Sequence, residues 1–216
     1  MTRLRIRSRQ SGDESGFTLI ELLVAMGIFS VLLGVFATSM ASFSKSTVRT
    51  YRISDQSTQA RTVFDLFDKQ VRSASAITVP GQITATGNWY VEFLNDTTLP
   101  STCIQWVLRM GTDTLAVRNW TAGATAAATA TPWRILVTDV VNTTTATDLA
   151  QQPFVLTLST TDIPRQQLAV GLRFQQRNAP MIYSNSSFVA RNTSTSTVTN
   201  VSGSGTAVCN FTGWRP

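Results

Sequence analysis

Residues 16–43 read GFTLIELLVAMGIFSVLLGVFATSMASF, an apolar run broken by one charge, Glu21. From Phe17 to Phe36 the run is long enough to cross a hydrocarbon core of about 30 Å as a helix. An ionisable side chain inside such a segment costs a few kcal/mol on insertion scales, so it normally has a partner or a task. Whatever fold this chain adopts therefore begins with an exposed apolar helix whose glutamate needs explaining.

The flank before the run, MTRLRIRSRQSGDESG, is basic at first and small at its end. Arg3, Arg5, Arg7 and Arg9 favour a cytoplasmic N-terminus, although Lys45, Arg49 and Arg52 after the run weaken the charge asymmetry. A secretory signal peptide would be cut among the small residues Ala37 to Ser42. The run is longer than the usual apolar region of such a peptide, and the glutamate is unaccounted for. A signal-anchor helix explains the length but again not Glu21.

The string Gly16-Phe17-Thr18-Leu19-Ile20-Glu21 and its continuation LLVAM resemble the type IV prepilin signature. The resemblance implies a dedicated prepilin peptidase that cuts between Gly16 and Phe17, followed by N-methylation of the new terminal Phe17. The cut would precede the apolar run, so the helix stays in the mature protein. Glu21, one turn beyond Phe17, would pair with the terminal amine of an adjacent subunit. Pairing would neutralise both charges on transfer from lipid to a filament core and fix the axial register. Gly27, Ser30 and Gly34 offer small surfaces for close helix packing. The expected partners are the peptidase, other pilins or pseudopilins, and the inner (cytoplasmic) membrane, crossed once with the N-terminus in the cytoplasm.

Between Ser44 and Ile77 there is no proline or glycine, and apolar residues recur at helical spacing. Phe64, Phe67, Val71 and Ala74 share a stripe among Asp65, Asp68, Lys69 and Arg72, which predicts one helix from Phe17 to about Ile77, amphipathic in its second half. The segment Gln59–Ala74, QARTVFDLFDKQVRSA, is similar to the helix end of PilW- and J-type minor pilins. One departure bears on this likeness: many major pilins carry a proline about twenty residues into the mature chain, where this chain has Ala37-Thr38-Ser39. The resemblance thus implies a minor component.

Pro80-Gly81 ends the helical pattern, and period-two alternation follows. Ile104, Trp106 and Leu108 alternate with Gln105, Val107 and Arg109, and a turn over Gly111 to Asp113 leads into 114–120 as a hairpin. Further strands are expected at Trp89–Leu94, Trp133–Val137, Phe154–Leu158 and Leu168–Phe174, with loops at 121–131, 142–148 and 192–206. A helix packed on an antiparallel sheet is the natural result: an α+β, pilin-like fold. The chain then divides into a leader (1–16), a transmembrane and filament-core helix (17–43), an amphipathic helix (44–79) and an exported β-rich domain (80–216).

Composition agrees with an exported, non-enzymatic protein. Charged residues are only 14% of the chain, with serine and threonine in their place. There is no histidine, which removes Ser-His and Cys-His catalysis and the commonest metal ligand; no cofactor or metal is called for. Asp113, Asp139 and Asp148 fall at turns or strand ends, where aspartate is common for local reasons. In an exported chain Cys103 and Cys209 are expected to form a disulfide, whereas in the cytosol they would be two unrelated thiols. The net charge of +6 rests partly on the first nine residues. Arg165, Arg173, Arg177 and Arg191 could meet phosphates, so nucleic acid binding or adhesion at a filament tip stands as the alternative to a purely structural subunit of a type IV pilus or type II secretion filament.

Overall fold

The apolar run and the amphipathic stretch form one helix, α1, from Leu19 to Ser73 in the computed structural model, which describes residues 16–83, 85–123, 130–142, 151–177, 179–201 and 209. Contacts within the chain divide it into two units, Met1–Val48 and Arg49–Pro216, and α1 contributes to both. In the first unit every described residue is exposed, including Leu22, Ile28, Leu32 and Phe36. Its hydroxyls fold back onto the helix: Ser30 donates to the Met26 carbonyl at 2.7 Å and Ser39 to that of Val35 at 2.9 Å. Such back-bonding satisfies polar side chains without a partner element, as an apolar solvent demands.

In the second unit the helix becomes one-sided. Ala60, Val63, Phe67 and Val71, spaced three and four apart, are buried, and Phe64 and Leu66 are half-buried beside them. The opposite side carries Asp68 and Arg72, joined at 2.6 Å one turn apart. The helix stops at Ser73, before the expected end near Ile77. β-Branched Ile77, Thr78 and Val79 and then Pro80 favour extended chain, and the sheet competes successfully for this backbone. Ser75 N donates to Leu94 O at 2.8 Å, and Asn192 Nδ2 caps the Ser73 carbonyl at 3.1 Å.

Two antiparallel sheets follow. The first takes β1 (Ala76–Ile77), β2 (Gly81–Gln82), β3 (Trp89–Asn95), β4 (Thr102–Arg109), β5 (Thr114–Thr121) and β6 (Arg134–Val137). Its order is β1-β3-β4-β5-β6, with β2 on the same side of β3 as β1 but at the other end of the strand. The second sheet is β7 (Phe154–Thr157), β8 (Gln167–Phe174) and β9 (Ile182–Val189), in that order. The segment around Val140 ties them together: Val140 N donates to Asp113 O at 2.9 Å, and Val141 N to Arg173 O at 2.8 Å. A one-turn helix, α2 (Val198–Val201), lies within the stretch 192–206 expected to be a loop.

The alternation read from sequence is the alternation that packs. Val91, Phe93, Ile104, Trp106, Leu108, Leu115 and Val117 of the first sheet join Phe154, Leu168, Val170, Leu172 and Phe188 of the second in one core with the helix stripe. Phe67 is its centre. Its ring stacks on Trp106 at 3.9 Å between centroids and has Phe93, Phe154 and Phe188 at 6.0–6.3 Å. Close aromatic pairs add about 0.5–1.5 kcal/mol each beyond area burial. Trp106 also donates its indole N–H to Gln70 Oε1 at 2.7 Å, so the buried indole is not left without a hydrogen bond.

Candidate processing and assembly site

Helix α1 begins with a reciprocal cap. Thr18 Oγ1 accepts the Glu21 backbone N–H at 3.3 Å, and a Glu21 carboxylate oxygen accepts the Thr18 N–H at 3.3 Å and its hydroxyl at 3.1 Å. This is the capping-box arrangement, in which a threonine and a glutamate three residues later each satisfy a backbone donor at the helix start. A carboxylate in the first turn is also favoured by the helix dipole. The glutamate that looked unaccounted for in the apolar run therefore has an intrachain partner. Its sequence signature is Thr-x-x-Glu, here Thr18-Leu19-Ile20-Glu21.

Gly16 and Phe17 lie immediately before this cap, and Phe17 is 87% exposed. The apolar surface beyond them is uneven. Gly27 leaves a shallow notch flanked by Val24, Ile28, Val31 and Leu32, and a Cβ built on Gly27 or Gly34 meets no atom within 4 Å. By length and composition this helix qualifies to cross a membrane.

Cys103 and Cys209 are bonded, and both are buried. The bridge fixes Cys209 to β4 on the face of the first sheet turned away from α1, where Trp120 and Leu94 pack around it. On that same face three residues in register, Glu92, Gln105 and Arg118, form a polar relay across β3, β4 and β5. Gln105 Nε2 donates to Glu92 Oε1 at 2.9 Å, and Arg118 Nε donates to Gln105 Oε1 at 2.8 Å. The amide thus faces the carboxylate with its donor and the guanidinium with its acceptor. Arg118 also lies 4.2 Å from the Trp133 ring centroid, with Arg109 5.3 Å from the same ring. Burial lowers the Arg118 guanidinium from its ordinary value to about 10; the charge of Glu92 raises it and Arg109 lowers it. No spacing rule in the sequence pairs these three residues, because the pairing depends on register.

The remaining candidates belong to the second unit. Asp113 and Asp139 have φ of 51° and 63°, left-handed positions that aspartate tolerates; Asp113 lies in the turn between β4 and β5, and Asp139 follows β6. Asp148 lies outside the described residues. Arg165 donates to the Thr193 carbonyl, Arg173 covers Tyr183 at 5.0 Å from its ring centroid, and the Arg177 carbonyl accepts from Arg52. Arg191 is exposed. Among the described residues no group of three or more Cys, Asp or Glu side chains could hold a metal ion.

The prokaryotic N-terminal methylation motif matches residues 12–37, which enclose Gly16, Phe17, Thr18, Glu21 and the Gly27 notch. Neither the curated proteins nor the solved structures yield a match. Proteins with this motif are structural, and the motif implies processing by a prepilin peptidase and assembly with other pilins. The chain thus carries the methylation motif at the head of a long apolar-to-amphipathic helix followed by antiparallel sheets, an α+β, pilin-like architecture.

Proposed function

We propose that the chain is a minor pilin or pseudopilin, a subunit that primes, caps or adapts a type IV pilus or a type II secretion filament. The peptidase cuts between Gly16 and Phe17, and Phe17 is then N-methylated. Until assembly the protein is held in the cytoplasmic membrane by residues 17–43, with the β-rich domain 80–216 outside. On extraction the carboxylate of Glu21 meets the terminal amine of a neighbouring subunit, and the protein joins a surface filament.

The observation that carries this reading is the match to the methylation motif over 12–37, at the start of a helix whose apolar residues from Phe17 to Phe43 are exposed. Apolar surface of that extent has to be covered by lipid or by other helices. Trading one cover for the other is what a pilin does.

Replacement of Glu21 separates assembly from processing. In a host with the peptidase and the cognate filament, Glu21→Ala is expected to be cleaved and to accumulate in the membrane, with at least a tenfold loss from sheared filaments. Glu21→Ala entering filaments as well as the native chain would sink the assigned role. Of the arginines offered for nucleic acid, Arg165 and Arg173 are engaged within the domain and Arg191 is exposed.

A further inference from the structure

The second sheet ends in an edge strand of a kind that soluble proteins usually protect. β9, IYSNSSFV, is eight residues long, straight in register with β8, free of proline and free of charge. Natural edges are blunted by shortness, lysine, proline or bulges, because a bare row of N–H and C=O groups is a template for another strand. The other edges follow that rule. β6 and β7 have four residues each, and β1 and β2 have two each, separated by a stretch that includes Pro80.

Hydrogen bonds on β8 tell which groups of β9 face outward. Gly171 N donates to Pro153 O and Val141 N to Arg173 O, so odd-numbered residues of β8 turn toward β7 and the Val141 segment. Even-numbered residues of β8 therefore turn toward β9, where their register partners are also even-numbered. Ala190 N, donating to Gln166 O, continues the pattern. The outward groups belong to Tyr183, Asn185, Ser187 and Val189, and among the described residues no backbone group bonds to them.

We infer that the β9 edge is a docking surface for the β9 edge of a second copy of this chain, antiparallel and centred on Ser186. The strand is self-complementary about that residue. Tyr183 then opposes Val189, an aromatic against a β-branched side chain, and Asn185 opposes Ser187, two hydrogen-bonding groups; such cross-strand pairs stabilise sheets. An uncharged strand meets an equally uncharged strand, so no like charges are brought together. All four outward residues find partners in this register, and the two three-strand sheets become one sheet of six. The surface belongs to the β-rich domain, and its test does not depend on processing at Gly16.

Cysteine placement reads the register. At the centre Ser186 faces its own copy as a non-hydrogen-bonded pair, with Cα atoms about 4.5 Å apart, inside the disulfide range of about 4.4–6.8 Å. Two copies of Ser184 are offset by four residues, about 13 Å, and lie out of reach. The two native cysteines are already bonded to each other and buried, so a thiol at 186 is the one available. The full chain carrying Ser186→Cys, oxidised in membranes, is expected to run as a covalent dimer on a non-reducing gel, with Ser184→Cys at least tenfold less crosslinked. Adding Ser187→Pro removes an outward N–H without touching a bond to β8, and is expected to abolish the dimer with the β-sheet circular dichroism unchanged. A monomer with Ser186→Cys, equal crosslinking at both positions, a product with a different protein, or a dimer that survives Ser187→Pro would each overturn the inference.

Discussion

The carboxylate of Glu21 accepts the hydroxyl of Thr18 at 3.1 Å, on the first turn of the helix that the motif introduces. In the proposed assembly step, the charge that would pair with a neighbouring subunit is thus held within its own chain beforehand. Thr18→Val removes the hydroxyl and both side-chain bonds that depend on it. A lost N-cap typically costs about 1 kcal/mol, so the amides of residues 20–22 in detergent micelles should exchange about fivefold faster. Unchanged exchange would mean that the cap contributes nothing at this terminus.

Phe67 is where helix and both sheets meet, and its removal should be felt throughout the second unit. Phe67→Ala is expected to destabilise the domain by about 3–5 kcal/mol, read from denaturant unfolding of the full chain in micelles. The same change at Phe29, exposed in the first unit, should leave that transition within about 0.5 kcal/mol of its original position. Similar losses at both positions would contradict the assignment of the core.

These two phenylalanines also show how far the sequence could be read. The change from an apolar helix to a one-sided one was legible, since helical spacing marks Phe67 and Val71 and the missing proline or glycine keeps the helix continuous. Strands rich in Val, Leu and Trp were legible for the same reason in period two, and β4, β5 and β8 lie close to their expected bounds. β9 was not, because Ser184, Asn185, Ser186 and Ser187 carry a turn-like composition and only pairing with β8 makes them a strand. β1 is two residues long, too short for any period, and it took the segment given to the helix end. The division into two sheets depends on which strands pair, a tertiary matter that no period in the sequence records. At the N-terminus the methylation motif over 12–37 was legible, and so was the Thr-x-x-Glu capping signature of Thr18 and Glu21.

Glu92, Gln105 and Arg118 form a chain in which the central amide is oriented by both charges. Glu92→Gln leaves the guanidinium buried, at 4% exposure, without its compensating carboxylate. Loss of one partner of a buried pair typically costs about 3–5 kcal/mol, and denaturant unfolding should show a loss of that order. A change below about 1 kcal/mol would mean that water or another group already compensates Arg118.

Arg118 also carries a pH signature. Its folded value lies near 10, below the ordinary guanidinium value of the unfolded chain. Between those values the unfolded chain binds more protons, so the contribution of this group to stability rises with pH across that window. The stability of the native chain relative to Arg118→Gln should therefore improve from pH 9 to pH 10.5. A difference that stays flat would contradict burial of a charged guanidinium.

The bond between Cys103 and Cys209 spans 106 residues. Closing a loop of this size is worth about 4.7 kcal/mol in the chain-entropy model, with measured losses of about 2–5 kcal/mol on removal. Cys103→Ser with Cys209→Ser should lower the unfolding midpoint by a corresponding amount and make it indifferent to reductant. If the double variant unfolds where the native chain does, the bridge does not hold the domain.

The central claim is that Gly16–Phe17 is a processing site and that the apolar helix survives processing. The direct measurement is the N-terminal sequence and intact mass of the protein from membranes of two hosts, one with a prepilin peptidase and one without. A chain beginning at methylated Phe17 in the first host alone is the predicted result. A chain beginning among the small residues near Ala41, or uncut in both hosts, would contradict the account and leave a secreted or signal-anchored surface protein.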